Sequence, residues 1–179
     1  MFQIKTKRLR LIPLNEDMLG MLRNSRPDLE KKLGLAPSDL QVSPEMQAEI
    51  AEALEFWQDF THKHPDQYQW GTNWEIVHDQ DNCAIGGIGL GGLPNKHGQV
   101  TVGYHIDPRR QRQGFAPEAL AALRDWALQH PQCSKIMAFT PVENIPSQKV
   151  LSKCGFELLD EVEEGGMECY LWCYDGDTT

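Results

Sequence analysis

The stretch Asp107-Pro108-Arg109-Arg110-Gln111-Arg112-Gln113-Gly114-Phe115-Ala116-Pro117-Glu118 decides how the chain is read. Arg109, Arg110 and Arg112 fall within four positions of a chain whose formal net charge is −9. They lead to Gly114, where backbone can approach a ligand with no side chain between them. Pro117 suits the first turn of a helix, where a missing N–H is not needed. Free amides at such a helix start, together with the arginines, attract a phosphate or pyrophosphate. A solvated basic loop is the plain alternative.

Val100, Val102, Tyr104 and Ile106 alternate with Thr101, Gly103 and His105, so a strand runs directly into this loop. After it, Ala119, Leu120, Leu123, Trp126 and Ala127 share one helical face until Pro131. Residues 135–140 form a short apolar strand. Asn144 caps a helix with Val150, Leu151 and Cys154 turned inward and Gly155 as its left-handed stop. Residues 156–162 and 167–174 close the chain as a hairpin around 163–166. The domain is set at 1–174, with 175–179 as a disordered tail.

Upstream, residues 8–14 read as a strand at or near an edge, ended by Pro13. Asn15 caps a helix that Pro27 stops, and 28–42 read as a connection with at most one helical turn. Ser43-Pro44-Glu45 opens a second helix carrying Met46, Ile50, Leu54, Trp57 and Phe60 up to Pro65. Trp57, Trp70 and Trp74 are core residues or the lining of an acceptor pocket. Residues 70–78 and 83–90 are two strands joined by the polar turn 79–82. Gly87-Ile88-Gly89-Leu90-Gly91-Gly92 satisfies the dinucleotide pattern GxGxxG literally, but a loop follows it, not a helix. Close backbone approach or a bulge explains these glycines better.

With 179 residues, 40% of them hydrophobic and 24% charged, the chain fits one soluble domain. The first residues lack the apolar core of a signal peptide and no run can span a bilayer, which makes cytoplasmic location the default and excludes a membrane partner. Cys83, Cys133, Cys154, Cys169 and Cys173 form no CxxC pair and are odd in number, which suits reduced buried thiols. His62 and His64 lack further ligands at metal spacing, so no metal is expected. An acidic pI of about 5.1 disfavours nucleic acid and leaves a small anion as the partner of the basic loop.

The order of elements resembles the GCN5-related N-acetyltransferase (GNAT) fold, and motifs match at specific positions. Gln111-Arg112-Gln113-Gly114-Phe115-Ala116 looks like that family's acetyl-CoA loop. Asn144-Ile145-Pro146-Ser147 followed by Gly155-Phe156 is similar to its next helix. Thr6-Lys7-Arg8-Leu9-Arg10-Leu11 and Gly103-Tyr104 look like the RimJ/RimL branch, which acetylates ribosomal-protein N-termini. The resemblance implies a single-domain α/β (α+β) fold, a mixed and mostly antiparallel sheet of about seven strands flanked by about four helices. It also implies a splay between the fourth and fifth strands.

By the same resemblance, acetyl-CoA is the co-substrate and its acetyl group passes directly to an amine, without a covalent enzyme intermediate. Tyr104, His105 and Ile106 would hydrogen-bond the pantetheine arm as an added strand does. Arg109, Arg112, Gln113, Gly114, Phe115, Ala116 and Pro117 would hold the pyrophosphate, and Asn144 would touch the pantetheine or act only as a cap. Many relatives carry a tyrosine seven residues after the motif asparagine to protonate the leaving thiolate; here that position is Leu151. Ser147 is the nearest hydroxyl in register, and Glu161, His105 or Glu75 are the candidate bases. The acceptor is a small-molecule amine or a peptide or protein N-terminus; a homodimer is one option for the assembly. The alternative is a CoA-binding or sensing module without catalysis. A P-loop nucleotide hydrolase is excluded because no Gly-Lys-Ser/Thr follows Gly114.

Overall fold

A computed structural model describes residues 1–178. The strands are β1 (Ile4–Lys5), β2 (Leu9–Pro13), β3 (Asn73–His78), β4 (Cys83–Leu90), β5 (Gln99–Ile106), β6 (Lys135–Pro141), β7 (Glu157–Glu164) and β8 (Met167–Asp175). The α-helices are α1 (Glu16–Asn24), α2 (Arg26–Lys32), α3 (Pro44–Lys63), α4 (Phe115–Leu128) and α5 (Ile145–Lys153). The strands form one sheet in the order β1-β2-β3-β4-β5-β6-β8-β7. Neighbouring pairs are antiparallel except β5 and β6, which are parallel and joined through α4. That crossover is what a parallel pair requires, since a tight turn cannot connect it.

Strand alternation divides the core. Leu11, Trp74, Ile88, Val100 and Val102 pack with Phe115, Leu120 and Leu123 of α4 and Leu151 of α5 in the larger cluster. On the other face Ile12, Val77 and Ala84 meet Leu35, and Leu14 joins α1, α2 and α3 through Met18, Leu19, Leu29 and Leu54. Trp70 and Trp74 pack at an angle against the Trp126 ring of α4 and are buried, so both are core residues, and Trp57 is half-buried against the helical cluster around Leu14.

Several boundaries differ from the sequence reading. The sheet gains the two-residue β1, so the expected first strand lies one place inside the edge. Pro27 opens a helix where a stop was expected: Ser25 accepts from the amide of Asp28, and Pro27 occupies the first turn of α2. Trp70 lies in a 3₁₀ turn, Pro65–Gly71, so the strand after it starts at Asn73. The tail expected from residue 175 is structured as far as it is described. Asp175 pairs with Lys135 and ends β8, and Gly176–Thr178 form a 3₁₀ turn whose Gly176 amide donates to the Ser134 carbonyl. Thr179 lies outside the described residues.

Candidate active site

Gly114 has φ +81° and stands at the N-terminus of α4, a conformation that other residues reach only with strain. Arg112, at φ +63°, also lies in the left-handed region, and the two turns curl the backbone into an open bowl. Among the described residues, the amides of 111–116 donate to no protein acceptor; the first bond into the helix is Glu118 N to Gly114 O. The loop is braced from behind by Arg8. Its guanidinium donates to the Gln113 carbonyl at 2.8 Å and to Glu118 at 2.7 Å, and lies 4.4 Å over the Phe115 ring. Thr6 and the Arg8 amide also donate to Glu118. The side chains thus fix the loop while the N–H groups of 111–116 have no acceptor among the described residues.

The three arginines divide. Arg109, expected among the phosphate ligands, pairs with Asp107 at 2.7 Å and donates to the carbonyls of Ser38 and Asp39. The Arg109 hydrogen bond holds the Asp107 carboxyl down to about 2, against its burial. Asp107 also accepts from the amide of Gln41, so the pair ties the loop to the segment before α3. Arg110 pairs with Asp81 at 2.7 Å. Arg112 alone is exposed with no protein partner among the described residues.

Beside the loop the sheet opens. β5 and β6 pair only at Gln99–Lys135, Val100–Ile136 and Thr101–Met137, and beyond that point they part. The Thr101 carbonyl and the Asp107 amide bond toward β4, so the even positions of β5 direct their backbone groups the other way. The Val102 amide closes the ladder on Met137 of β6, so the Val102 carbonyl and the amide and carbonyl of Tyr104 face the gap; the Ile106 carbonyl is taken by the Gln111 side chain. This is the expected splay, between β5 and β6 in the full count.

Across the gap Asn144 caps α5 by accepting from the Ser147 amide. The Ser147 hydroxyl is free of that duty and hydrogen-bonds the Tyr104 phenol at 2.9 Å. Burial pushes the Tyr104 phenol up to about 12, so it stays protonated. Leu151, where a phenol was expected by resemblance, is fully buried in the core. A cleft of about 600 Å³ continues from the loop between α4 and α5, lined by Gly114, Pro117, Ala121, Arg124, Lys153 and Tyr174 among others.

On the opposite face of β5, side chains from two other elements, α2 and β3, meet its own His105. Glu75 of β3 receives a two-pronged bond from Arg26 of α2 at 2.9 and 3.3 Å and a bond from the Asn73 amide at 2.9 Å. His105 lies close by and half-buried, its Nε2 enclosed and without a partner. Two of the three candidate bases, Glu75 and His105, are thus brought together. Glu161 is not: it is exposed on β7, with β8 and β6 between it and the gap. Arg8 and Arg26 are candidates that the sequence reading did not single out, and Tyr104 was named there for its backbone, not its phenol; Arg8 and Tyr104 lie inside quoted motifs, whereas Arg26 carried no local signal.

A mixed sheet split beside a loop of open amides is the architecture of an acetyltransferase. The acetyltransferase (GNAT) domain matches residues 8–157, and the chain belongs to that family. It is accordingly an N-acetyltransferase of mixed α/β fold. It is 27% identical over 158 residues to the uncharacterized N-acetyltransferase YjdG of Bacillus subtilis, covering 88% of this chain and 91% of the relative. Its fold is shared with the RimL ribosomal L7/L12 alpha-N-protein acetyltransferase solved with coenzyme A (TM-score 0.71, 17% identity, 99% and 100% coverage). It is shared also with Mycobacterium smegmatis RimJ (TM-score 0.64, 21% identity, 95% and 83% coverage). Among the described residues no helix is long and apolar enough to cross a membrane.

Proposed function

We propose that this chain carries the acetyl group of acetyl-CoA directly to an amine. The observation that carries the reading is the run of unpaired amides at 111–116 leading to the unpaired edge of β5. Acetyl-CoA supplies an acyl group activated as a thioester. The amides of 111–116 and the exposed guanidinium of Arg112 bind its pyrophosphate, with Gln113, Phe115, Ala116 and Pro117 shaping the bowl around Gly114. The cleft between α4 and α5 takes its nucleotide end, where Arg124 and Lys153 supply positive charge. The Val102 carbonyl and the amide and carbonyl of Tyr104 hold the pantetheine arm, as an edge strand holds an added one. Asn144 keeps the helix start in place.

The Ser147 hydroxyl delivers a proton to the departing sulfur, and a backbone N–H of β5 stabilises the carbonyl oxygen as charge grows there. Orientation in the gap supplies much of the acceleration. No cysteine is poised to carry the acetyl group: all five are buried, and burial pushes each thiol up, Cys133 to about 11. That supports transfer without a covalent intermediate, and unpaired thiols suit the reducing cytoplasm. The acceptor is a protein N-terminus or a small-molecule amine. An α-amine, with a pKa of about 8, is far more deprotonated near neutrality than a lysine at about 10.4, and is the preferred class.

The test is CoA release from acetyl-CoA with a panel of N-terminal peptides, polyamines and other small amines. Acetylated amine should appear in equal amount with free CoA. Tight binding of CoA with no release for any amine would favour a non-catalytic sensor on the same fold.

A further inference from the structure

We propose that β7, the outermost strand of the sheet, is a docking edge to which an extended, basic polypeptide segment adds as a further strand. The inference does not rest on acetyl transfer, since β8 and β6 stand between β7 and the gap. Of the eight residues of β7 only Val162 is half-buried, and the other seven are exposed, so neither face carries a covering layer. Leu158 and Leu159 are 51% and 56% exposed, and Met167, where β8 begins, is 53% exposed. Strands are held by packing as well as by pairing, and β7 has its pairing with β8 without the packing.

The backbone of β7 leaves bonding groups open. The Glu168 carbonyl accepts from the Val142 amide at 3.2 Å, so Glu168 turns its backbone toward β6. Its partner across the hairpin, Glu163, therefore turns amide and carbonyl away from β8, and alternation gives Glu161 the same orientation. The Glu161 amide is taken by the Asp160 carboxylate at 2.8 Å. The two carbonyls and the Glu163 amide meet no protein partner among the described residues. From Asp160, where the bulge ends, to Glu164 the edge is thus regular, and it offers more acceptors than donors.

The side chains decide what can add. Asp160, Glu161, Glu163 and Glu164 flank Val162, with Glu157 and Glu168 beside them. None of these six carboxylates has an ion-pair partner among the described residues, whereas Arg8, Arg26, Arg109, Arg110 and Lys135 are paired elsewhere. A second copy of β7 would set like charges opposite one another, which destabilises a strand pair. A basic strand would set opposite charges there, so the edge that repels its own copy attracts a cationic partner. The run acid, acid, valine, acid, acid reads the same from both ends. Its complement in either direction is two basic residues, one apolar residue and two basic residues, and the unfilled carbonyls take the N–H groups of that segment.

The experiment titrates the full chain with a fluorescent peptide, Thr-Arg-Arg-Leu-Arg-Arg-Thr, blocked at both ends so that it holds no amine to acetylate. Anisotropy should show saturable binding that weakens as salt rises. A control of equal charge, Pro-Arg-Arg-Pro-Arg-Arg-Pro, lacks the N–H groups and extended pairing of a strand and should bind at least about threefold more weakly. Hydrogen exchange in the complex should slow at the Glu163 amide and stay unaltered at 111–116. Reversing Glu163→Lys with Glu164→Lys should weaken the peptide at least about tenfold. Reversing Glu49→Lys with Glu52→Lys, both exposed on α3, changes net charge equally and should leave affinity within about twofold. Absent binding to the wild-type chain, equal affinity for the two peptides, unaltered exchange at Glu163, or equal losses in the two double variants would each overturn the inference. The first three are read on the wild-type chain and do not depend on any variant folding.

Discussion

The two sides of β5 are built in opposite ways. On the α4 side, six consecutive backbone amides, 111–116, have no acceptor among the described residues, and side chains such as Arg8 and Glu118 hold the loop that carries them. On the α1–α3 side, the side chains of Arg26, Asn73, Glu75 and His105, from α2, β3 and β5, meet in one polar cluster. A backbone site tolerates most side-chain changes and fails when the backbone conformation is disturbed. A side-chain cluster fails when any one charge loses its partner.

The largest effect should come from the cluster. Glu75→Ala leaves the Arg26 guanidinium short of its main partner and should lower unfolding free energy by about 3 kcal/mol, reduced from the fully buried case because Arg26 is partly exposed. Chemical denaturation measures it, and a loss under about 0.5 kcal/mol would mean that the cluster is solvated. Next is Gly114→Val, which forces a β-branched residue to φ +81° with its Cβ 3.3 Å from the Arg8 guanidinium. CoA affinity should fall at least about tenfold, roughly 1.4 kcal/mol or more. Gln113→Ala changes only an exposed side chain of the same loop and should leave affinity within about twofold. Equal losses in both proteins would break the distinction between a backbone site and a side-chain site.

Asp107 tests the tie between the two sides. Its pKa falls from 3.8 to about 2 on folding, so its stabilisation is complete above pH 3.8 and is lost as pH drops through 2. Asp107→Asn should cost about 1–2 kcal/mol at neutral pH, allowing for the exposure of Arg109, and that difference should close as pH approaches 2. A gap that is constant with pH would show that the charge is not what matters. Ser147→Ala should slow single-turnover chemistry by about tenfold with CoA affinity kept, because Asn144, not the Ser147 hydroxyl, caps α5. Tyr104→Phe removes only the bond that holds that hydroxyl, and should cost less, about threefold or under.

What was legible follows the same division. The strand 100–106, Gly114 and the Asn144 cap could be read because each is a local pattern, and the structure shows a strand, a left-handed glycine and a cap there. The tie of Arg109 to Asp107 was not legible, because Asp107, two residues earlier, becomes a buried acceptor only after the 3₁₀ turn Pro108–Arg110 forms. Pro27 was read as a stop although Ser25-Arg26-Pro27-Asp28 also fits a helix start, and that second reading is the one realised. The meeting of residues 26, 73, 75 and 105 depends on sheet register and on the packing of α2, neither of which leaves a spacing signal. Glu161 could not be placed from sequence because a bulge between Leu158 and Asp160 shifts the alternation of β7, and the strand order sets β7 at the far edge.

Amide hydrogen exchange with and without saturating CoA tests the central claim most directly, because the amides at issue have no protein acceptor and exchange fast in the free chain. The account predicts protection at 111–116 and at the gap-facing amide of Tyr104, with Asn73, Glu75 and His105 unchanged. Unaltered exchange at 111–116 in a protein that binds CoA would contradict it.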